Sequence, residues 1–512
     1  MAIKLVMLIV FFSVMVGVGL YCRRHATDVN GFVLGGRNVG PWLTAFAYGT
    51  SYFSAVIFVG YAGQFGWKFG ISATWIGIGN AILGSLLAWV VLGRRTRLMT
   101  QHFDSATMPE FFGARFDSKA VKVISSLIVF IFLIPYTASL YNGLSRLFGM
   151  AFNIDYTLCI VIMAVLTGVY VIAGGYMATA INDFIQGIIM IAGIIAVVFA
   201  VLKTNGGFLS SLDALSRVTD ESVSSSPGVF ASFFGPDPLN LLGVIILTSF
   251  GTWGLPQMVQ KFYSIKSEND IGKGAIISTI FAIIIAGGCY FLGGFGRLFT
   301  TNELVNAQSC DSIIPTMLSG FSPALIGLIV ILVLSASMST LSALVMASSS
   351  TLTLDFIKTV IAKDMDEKRQ LLWIRLLIVV FIFISVVIAI IQYKTKAMFI
   401  AQLMGISWGA LAGSFLAPFF FSLYWKRTTK AAVFSSFAFG SGIMTLNLFF
   451  RESFPALLAS PINCGALAML SGFIIVPVVS LLTKAPNQRL VEEAFDCYDK
   501  RVVVSAKRSL SD

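Results

Sequence analysis

The chain has 512 residues, 57% of them apolar and only 12% charged, with a mean hydropathy of +0.87. Soluble domains run near 45–50% apolar and about 25% charged, so a chain with 45 Phe and 24 acidic residues cannot be wrapped in a soluble surface and is read as an integral membrane protein. The net charge of +11 comes from basic residues set between apolar runs. They form no long basic tract, which argues against nucleic acid as a partner.

A transmembrane helix takes roughly 20 mostly apolar residues. Such runs occur near 3–22, 41–62, 70–93, 121–144, 156–174, 180–202, 238–260, 274–296, 323–354, 373–393, 397–425, 430–450 and 462–483, thirteen in all. The first is read as a retained helix, because it lacks a small-residue cleavage site and runs straight into Cys22-Arg23-Arg24. The second and seventh are interrupted, by Gly49, Ser51, Ser54 and Gly60 and by Gly251, Gly254 and Pro256. Interruptions at matching places in two halves point to a midplane binding site, where unwound backbone exposes its carbonyl and N–H groups. They lie five spans apart, the parity of an inverted repeat. With the N-terminus outside, 26 of the 35 Lys and Arg fall on the cytoplasmic side, which orients the chain N-out and C-in. The longest loops, 204–237, 298–322, 94–120 and the tail 484–512, are too short for a catalytic domain.

Six scattered cysteines without a C-x-x-C and two histidines indicate neither a zinc site, a disulfide framework nor haem. No Gly-Lys-Ser/Thr phosphate loop is present, so ATP is not the energy source. Ionisable groups inside the hydrocarbon are costly, and each is a functional candidate. Asp183 in the sixth span is the acid best placed to attract a cation, or alternatively to cap a helix N-terminus. Asp355 ends the ninth span, near the cytoplasmic interface. The ninth span also carries Ser335, Ser337, Ser339, Thr340 and Ser342. These hydroxyls serve either close helix packing or a hard cation such as Na⁺.

Several short motifs recur in order: Phe32-Val33-Leu34-Gly35-Gly36-Arg37, Ser51 to Ala55 with Gly60, Pro109-Glu110-Phe111-Phe112, Gly174-Gly175 with Asp183 and Gln186, Gly254-Leu255-Pro256 with Lys261-Phe262, Met338-Ser339-Thr340-Leu341-Ser342, and Tyr424-Trp425-Lys426-Arg427. With them, about the whole chain resembles the sodium:solute symporter family. The resemblance implies a LeuT-type core of two inverted five-helix repeats, about 41–203 and 238–425, with extra helices at 3–22, 430–450 and 462–483. The result is an all-α polytopic membrane protein, a single transporter domain over 1–483 with a cytoplasmic tail at 484–512. The resemblance also implies a main sodium site of backbone oxygens at Thr50, Phe53 and Ala336 with the hydroxyls of Ser339 and Thr340. A second sodium site would use Asp183 and Ser342, although Ala343 stands where a two-sodium member has a further hydroxyl. Tyr52 stands where proline symporters carry an acid, a departure that weakens a proline assignment. Candidate solute-pocket residues are Tyr52, Ser54, Tyr136, Trp253, Gln257 and Gln402.

The expected function is sodium-coupled symport of a small organic solute (amino acid, monocarboxylate or vitamin class) by alternating access, with Na⁺ as the coupling ion. The lipid bilayer is its medium, a bacterial plasma membrane its place. A proton-coupled symporter using Asp183 is the alternative; a membrane sensor or intramembrane enzyme is a distant one. No His, Cys or paired-acid constellation in the spans supports an enzyme.

Overall fold

The computed structural model describes residues 2–498 apart from 24–27, 153, 222, 225, 309 and 396–399. Arg24 and Lys396, both used in the charge count, lie outside the described residues, as does the tail beyond 498. Among the described residues the chain is all-helical, with two isolated β-bridges. The principal helices are α1 (Ala2–Cys22), α2 (Pro41–Tyr52), α3 (Lys119–Phe152), α4 (Tyr156–Thr204), α5 (Pro238–Gly254), α6 (Pro256–Tyr263), α7 (Glu268–Ala282), α8 (Pro323–Thr351), α9 (Glu367–Thr395), α10 (Ile400–Tyr424), α11 (Lys430–Phe449) and α12 (Pro461–Leu482). Among the described residues, ten helices are long and apolar enough to cross a membrane, or eleven when the bent pair α5 and α6 counts as one span. The expected run at 41–62 is divided between α2 and the helical segment after it, and the run at 156–174 is a shorter apolar helix, Tyr156–Val169.

Burial separates centre from rim. The spans Pro323–Ile361 and Ile400–Tyr424 are 83% and 89% buried, whereas α1 is 22% buried. A helix buried all round has no amphipathic stripe, which is why α8 and α10 read as uniformly apolar apart from small hydroxyl residues.

Three breaks shape the interior, each with a local cause. After α2, Phe53 is extended at φ −104° and ψ 101°. Ser54 then restarts the helix: its carbonyl accepts from the Ile57 and Phe58 N–H groups, and its Oγ accepts from the Val56 N–H at 3.3 Å. Between α5 and α6, Leu255 is extended at φ −82° and ψ 120°. Pro256 imposes this, because the ring crowds the preceding residue out of the α region, and the two helices meet at 47°. Inside α4, Gly175 takes φ 57° and ψ −154°, a conformation open to a residue without Cβ. The long helix is thus two spans joined at a kink, between the expected runs 156–174 and 180–202.

Buried ion pairs tie helix ends together. Asp355 is fully buried and meets Lys122 at 3.2 Å, while Thr107 donates to it at 2.6 Å. The same lysine meets Glu110 at 3.3 Å. Asp355, expected at the end of the ninth span, is thus covered by protein and paired with Lys122. At another loop cluster, Arg297 bonds Asp220 at 2.9 Å and lies over the Phe230 and Trp67 rings. The short helix Gln488–Phe495 and Tyr498 pack back onto the bundle: Tyr498 donates to the Leu423 carbonyl at 3.1 Å, and Arg95 lies over the Tyr424 and Tyr498 rings.

Backbone meets backbone where glycines face each other. A Cβ on Gly66 would collide with the Gly293 backbone, and one on Gly293 with the Ala62 carbonyl. Gly17 and Gly272 have open space at the same position. Gly66→Ala and Gly293→Ala are expected to destabilise the fold by about 1–3 kcal/mol each, as overpacking does. Gly17→Ala and Gly272→Ala are expected to leave it unharmed. Thermal unfolding of the purified variants in one detergent checks the contrast.

Candidate functional site

The α2 break leaves backbone oxygens without helical partners. The Gly49 carbonyl still accepts from the Phe53 N–H at 3.1 Å, but one residue on the chain has turned away. Buried carbonyls do not stay unpaired, and α8 supplies the donors. Ser339 Oγ lies 3.1 Å from the Thr50 carbonyl and 3.1 Å from the Ala336 carbonyl of its own helix, and its one proton can serve either. Thr340 Oγ1 lies 3.2 Å from the Thr50 carbonyl, 3.5 Å from that of Ser51 and 3.0 Å from that of Ala336. Thr50, Ala336, Ser339 and Thr340 are all at most 2% exposed. The result is a compact cluster of neutral oxygens, three carbonyls and two hydroxyls, drawn from two helices. A hydroxyl has one proton and two lone pairs, so the same groups can turn their oxygens toward a hard cation. Phe53, the fifth residue expected here, stands at the break beside them, and its ring stacks on Tyr52 at 4.2 Å. A small cavity of about 10 Å³ adjoins the cluster, lined by Phe53, Ser54 and Ala336 among others.

Asp183 and Ser342 are engaged elsewhere. Asp183 Oδ2 lies 3.7 Å from the Lys261 ammonium, with both side chains under 5% exposed. Ser342 Oγ donates to the Ser339 carbonyl at 2.8 Å. Lys261 enters the sequence argument as a cytoplasmic charge and as part of the Lys261-Phe262 motif, not as a partner of Asp183. Its position at the end of the broken seventh run, five residues past Pro256, is the signal that α6 carries it into the protein.

The solute-pocket candidates divide into groups. Tyr52, Ser54 and Tyr136 come together around Trp408, a residue the sequence argument leaves out. The Tyr52 and Tyr136 rings lie 6.1 and 5.8 Å from the Trp408 ring. The Tyr136 hydroxyl faces Ser54 and Trp408 without closing a hydrogen bond, and the Trp408 indole N–H is also unpartnered. The Tyr52 hydroxyl donates to the Thr248 carbonyl in α5 at 2.5 Å, and Gly84 leaves room for it. Tyr48 donates to the Gly84 carbonyl at 2.8 Å, where Thr252 also donates at 3.1 Å. Gln257 sits just past the α5–α6 break, 1% exposed, with both amide atoms unpartnered. Trp253 points the other way: its indole N–H donates to the Leu83 carbonyl, and its ring lies against Phe250. Gln402 lies at the start of α10 and accepts from Arg451 at 3.4 Å, six residues before Trp408. The cue to Trp408 is in the sequence, as Gly405-Ile406-Ser407-Trp408-Gly409, a small-residue stretch with one large ring.

Buried carbonyls gathered at helix breaks, beside a box of aromatic rings and hydroxyls without a charge among them, can bind and release an ion and a small solute. No covalent chemistry is implied by such groups. Comparison with known proteins agrees. The sodium:solute symporter family profile matches residues 32–440. The sodium/proline symporter of Staphylococcus aureus is 30% identical over 498 residues, covering 94% of this chain and 93% of its own. A Na⁺-coupled sialic acid symporter, solved substrate-bound and outward-open, superposes with a TM-score of 0.74 at 17% identity, over 95% of this chain and 98% of that one. A nucleobase-cation-symport-1 family transporter superposes with a TM-score of 0.51 at 14% identity, over 91% of this chain and 95% of its own. The two structures share the fold, and the profile match extends over most of the sequence. This chain is a multi-pass membrane transporter, not an enzyme, and belongs to the sodium:solute symporter family.

Proposed function

We propose that the chain imports a small organic solute by sodium-coupled symport, through alternating access. The observation that carries this reading is the freed Thr50 carbonyl, held by Ser339 and Thr340 across two helices. Sodium would take the carbonyl oxygens of Thr50, Phe53 and Ala336 and the hydroxyls of Ser339 and Thr340. The ion then joins α2 to α8, and the aromatic group beside the break is set for solute. Each ligand raises the other's affinity by linkage. A membrane potential of about 100 mV supplies roughly 2.3 kcal/mol per charge, and a tenfold sodium gradient adds about 1.4 kcal/mol. Together these sustain several hundredfold accumulation of a neutral solute per ion.

The finer topology belongs to the same proposal: thirteen spans, N-terminus outside, inverted repeats at about 41–203 and 238–425, in a bacterial plasma membrane. The solute is an amino acid, a monocarboxylate or a vitamin-like molecule. The proline symporter of S. aureus makes proline the first to try. Tyr52, fixed by its bond to Thr248, supports recognition that differs from an acid at that position. Asp183 already faces the fixed charge of Lys261, which supports one sodium per cycle and gives the carboxylate a structural partner.

Purified protein in liposomes with an inward sodium gradient and labelled proline, pantothenate, short monocarboxylates, sialic acid and sugars tests the proposal. One solute is expected to accumulate, and to stop doing so without sodium. Ser339→Ala and Thr340→Ala are expected to raise the half-saturating sodium concentration tenfold or more. Uptake that ignores sodium but follows pH would overturn the reading.

The ion pair has its own test. Lys261→Met leaves a buried carboxylate alone and is expected to destabilise the protein by about 3–5 kcal/mol. The double variant Asp183→Asn with Lys261→Met is expected to regain most of that in thermal unfolding. If Asp183→Asn alone keeps its stability but lowers the sodium cooperativity of uptake, a second ion occupies that acid.

A further inference from the structure

Away from the sodium cluster and the aromatic group, a large hollow lies on the membrane face. A groove of about 830 Å³ runs between α1, the first part of α4 and α9. Its walls are apolar, with Val165, Gly168, Val379 and Ile382 among them, and no carboxylate lines it among the described residues. Val165 and Val379 are more than half exposed, and Gly168 leaves only ordinary contact with Ile382 where a side chain would stand. The two charged side chains in its lining are both arginines, Arg23 and Arg375. Arg23 closes α1, and Arg375 lies eight residues into α9. No ion pair is formed by either arginine among the described residues. Arg375 lies 5.5 Å from the Phe32 ring, and its Nε is shielded from solvent with no hydrogen-bond partner.

From Arg375 to Ile390 the groove follows fifteen residues of α9, about 22 Å of helix. One leaflet of hydrocarbon is about 15 Å deep. The groove is therefore as long as an acyl chain needs, apolar where the chain would lie and cationic where a headgroup would sit. A neutral lipid would leave both arginines without a counter-charge at the edge of the hydrocarbon, and basic pockets between membrane helices are the recurrent seat of anionic headgroups.

We propose that this groove binds an anionic phospholipid, its phosphate between Arg23 and Arg375 and an acyl chain along Val165, Gly168, Val379 and Ile382. The lipid joins the rim helix α1 to α4 and α9, so its occupancy bears on how those helices move.

Native mass spectrometry of the full chain in detergent, titrated with dioleoylphosphatidylglycerol or dioleoylphosphatidylcholine, tests this. The glycerol lipid is expected to bind at least tenfold tighter. At about 1 kcal/mol per basic residue near an anionic group, Arg23→Gln and Arg375→Gln are each expected to weaken it about fivefold, with the choline lipid unchanged. Gly168→Leu, which fills the groove and keeps both arginines, is expected to weaken both lipids. Arg23 is exposed, so its variant reads out even where Arg375→Gln fails to fold. Equal binding of the two lipids overturns the proposal, as does unchanged phosphatidylglycerol binding in the Arg23 variant. A dimer that disappears with Gly168→Leu would assign the groove to a second copy instead.

Discussion

A broken helix in an apolar interior must find partners for its loose carbonyls, and much of this molecule follows from that need. Unpaired backbone groups in a membrane cost several kcal/mol. At the end of α2 the debt falls on Thr50 and Ser51, and Ser339 and Thr340 of α8 discharge it. That contact fixes which face of α8 turns inward and at what height. Small residues along α8 let the two helices come close enough for hydroxyls, with their short reach, to bridge the gap. The proposed ion site is the same contact with a cation in place of two hydroxyl protons. Strength of the bonds in one state and ease of exchanging them in another are properties of the same oxygens.

Charge is kept away from this centre. The buried acids are matched by bases near helix ends, Asp183 with Lys261 and Asp355 with Lys122, while Asp220 pairs with Arg297 at the loops. Such pairs add little net stability against apolar replacements, yet breaking one is expensive. They suit positions that must register one helix against another. Between them lie neutral oxygens and aromatic rings, whose interactions can be remade without leaving an ion stranded.

The apolar runs were legible because a membrane span is written in composition and length. The breaks were legible because glycine, proline and hydroxyl residues interrupt those runs in ways the chain chemistry explains. Ser339 and Thr340 belong to a row of hydroxyls in an apolar helix, and the structure places these two against Thr50. Lys261 was obscured because a positive residue near the end of a run looks like a topology signal, and only the bend at Leu255 turns it inward. The pairing of Asp355 was hidden because nothing local reveals that Lys122, more than 200 positions away in sequence, comes to meet it. Trp408 and the different directions of Tyr52 and Trp253 depend on how distant helices rotate about their axes. An all-round buried helix carries no apolar stripe to announce that rotation.

The docked segment after α12 carries a practical meaning. Tyr498 and Phe495 lie against the Arg95 and Arg115 guanidinium groups, and Cys497 is buried with them. The folded unit therefore extends at least sixteen positions past the last apolar helix, which ends at Leu482. A chain cut where hydropathy falls would remove a clasp holding the ends of helices remote in sequence, and would uncover the Arg95 and Arg115 guanidinium groups beneath it. A shortened version, or a fused reporter, has to keep the chain at least through Tyr498.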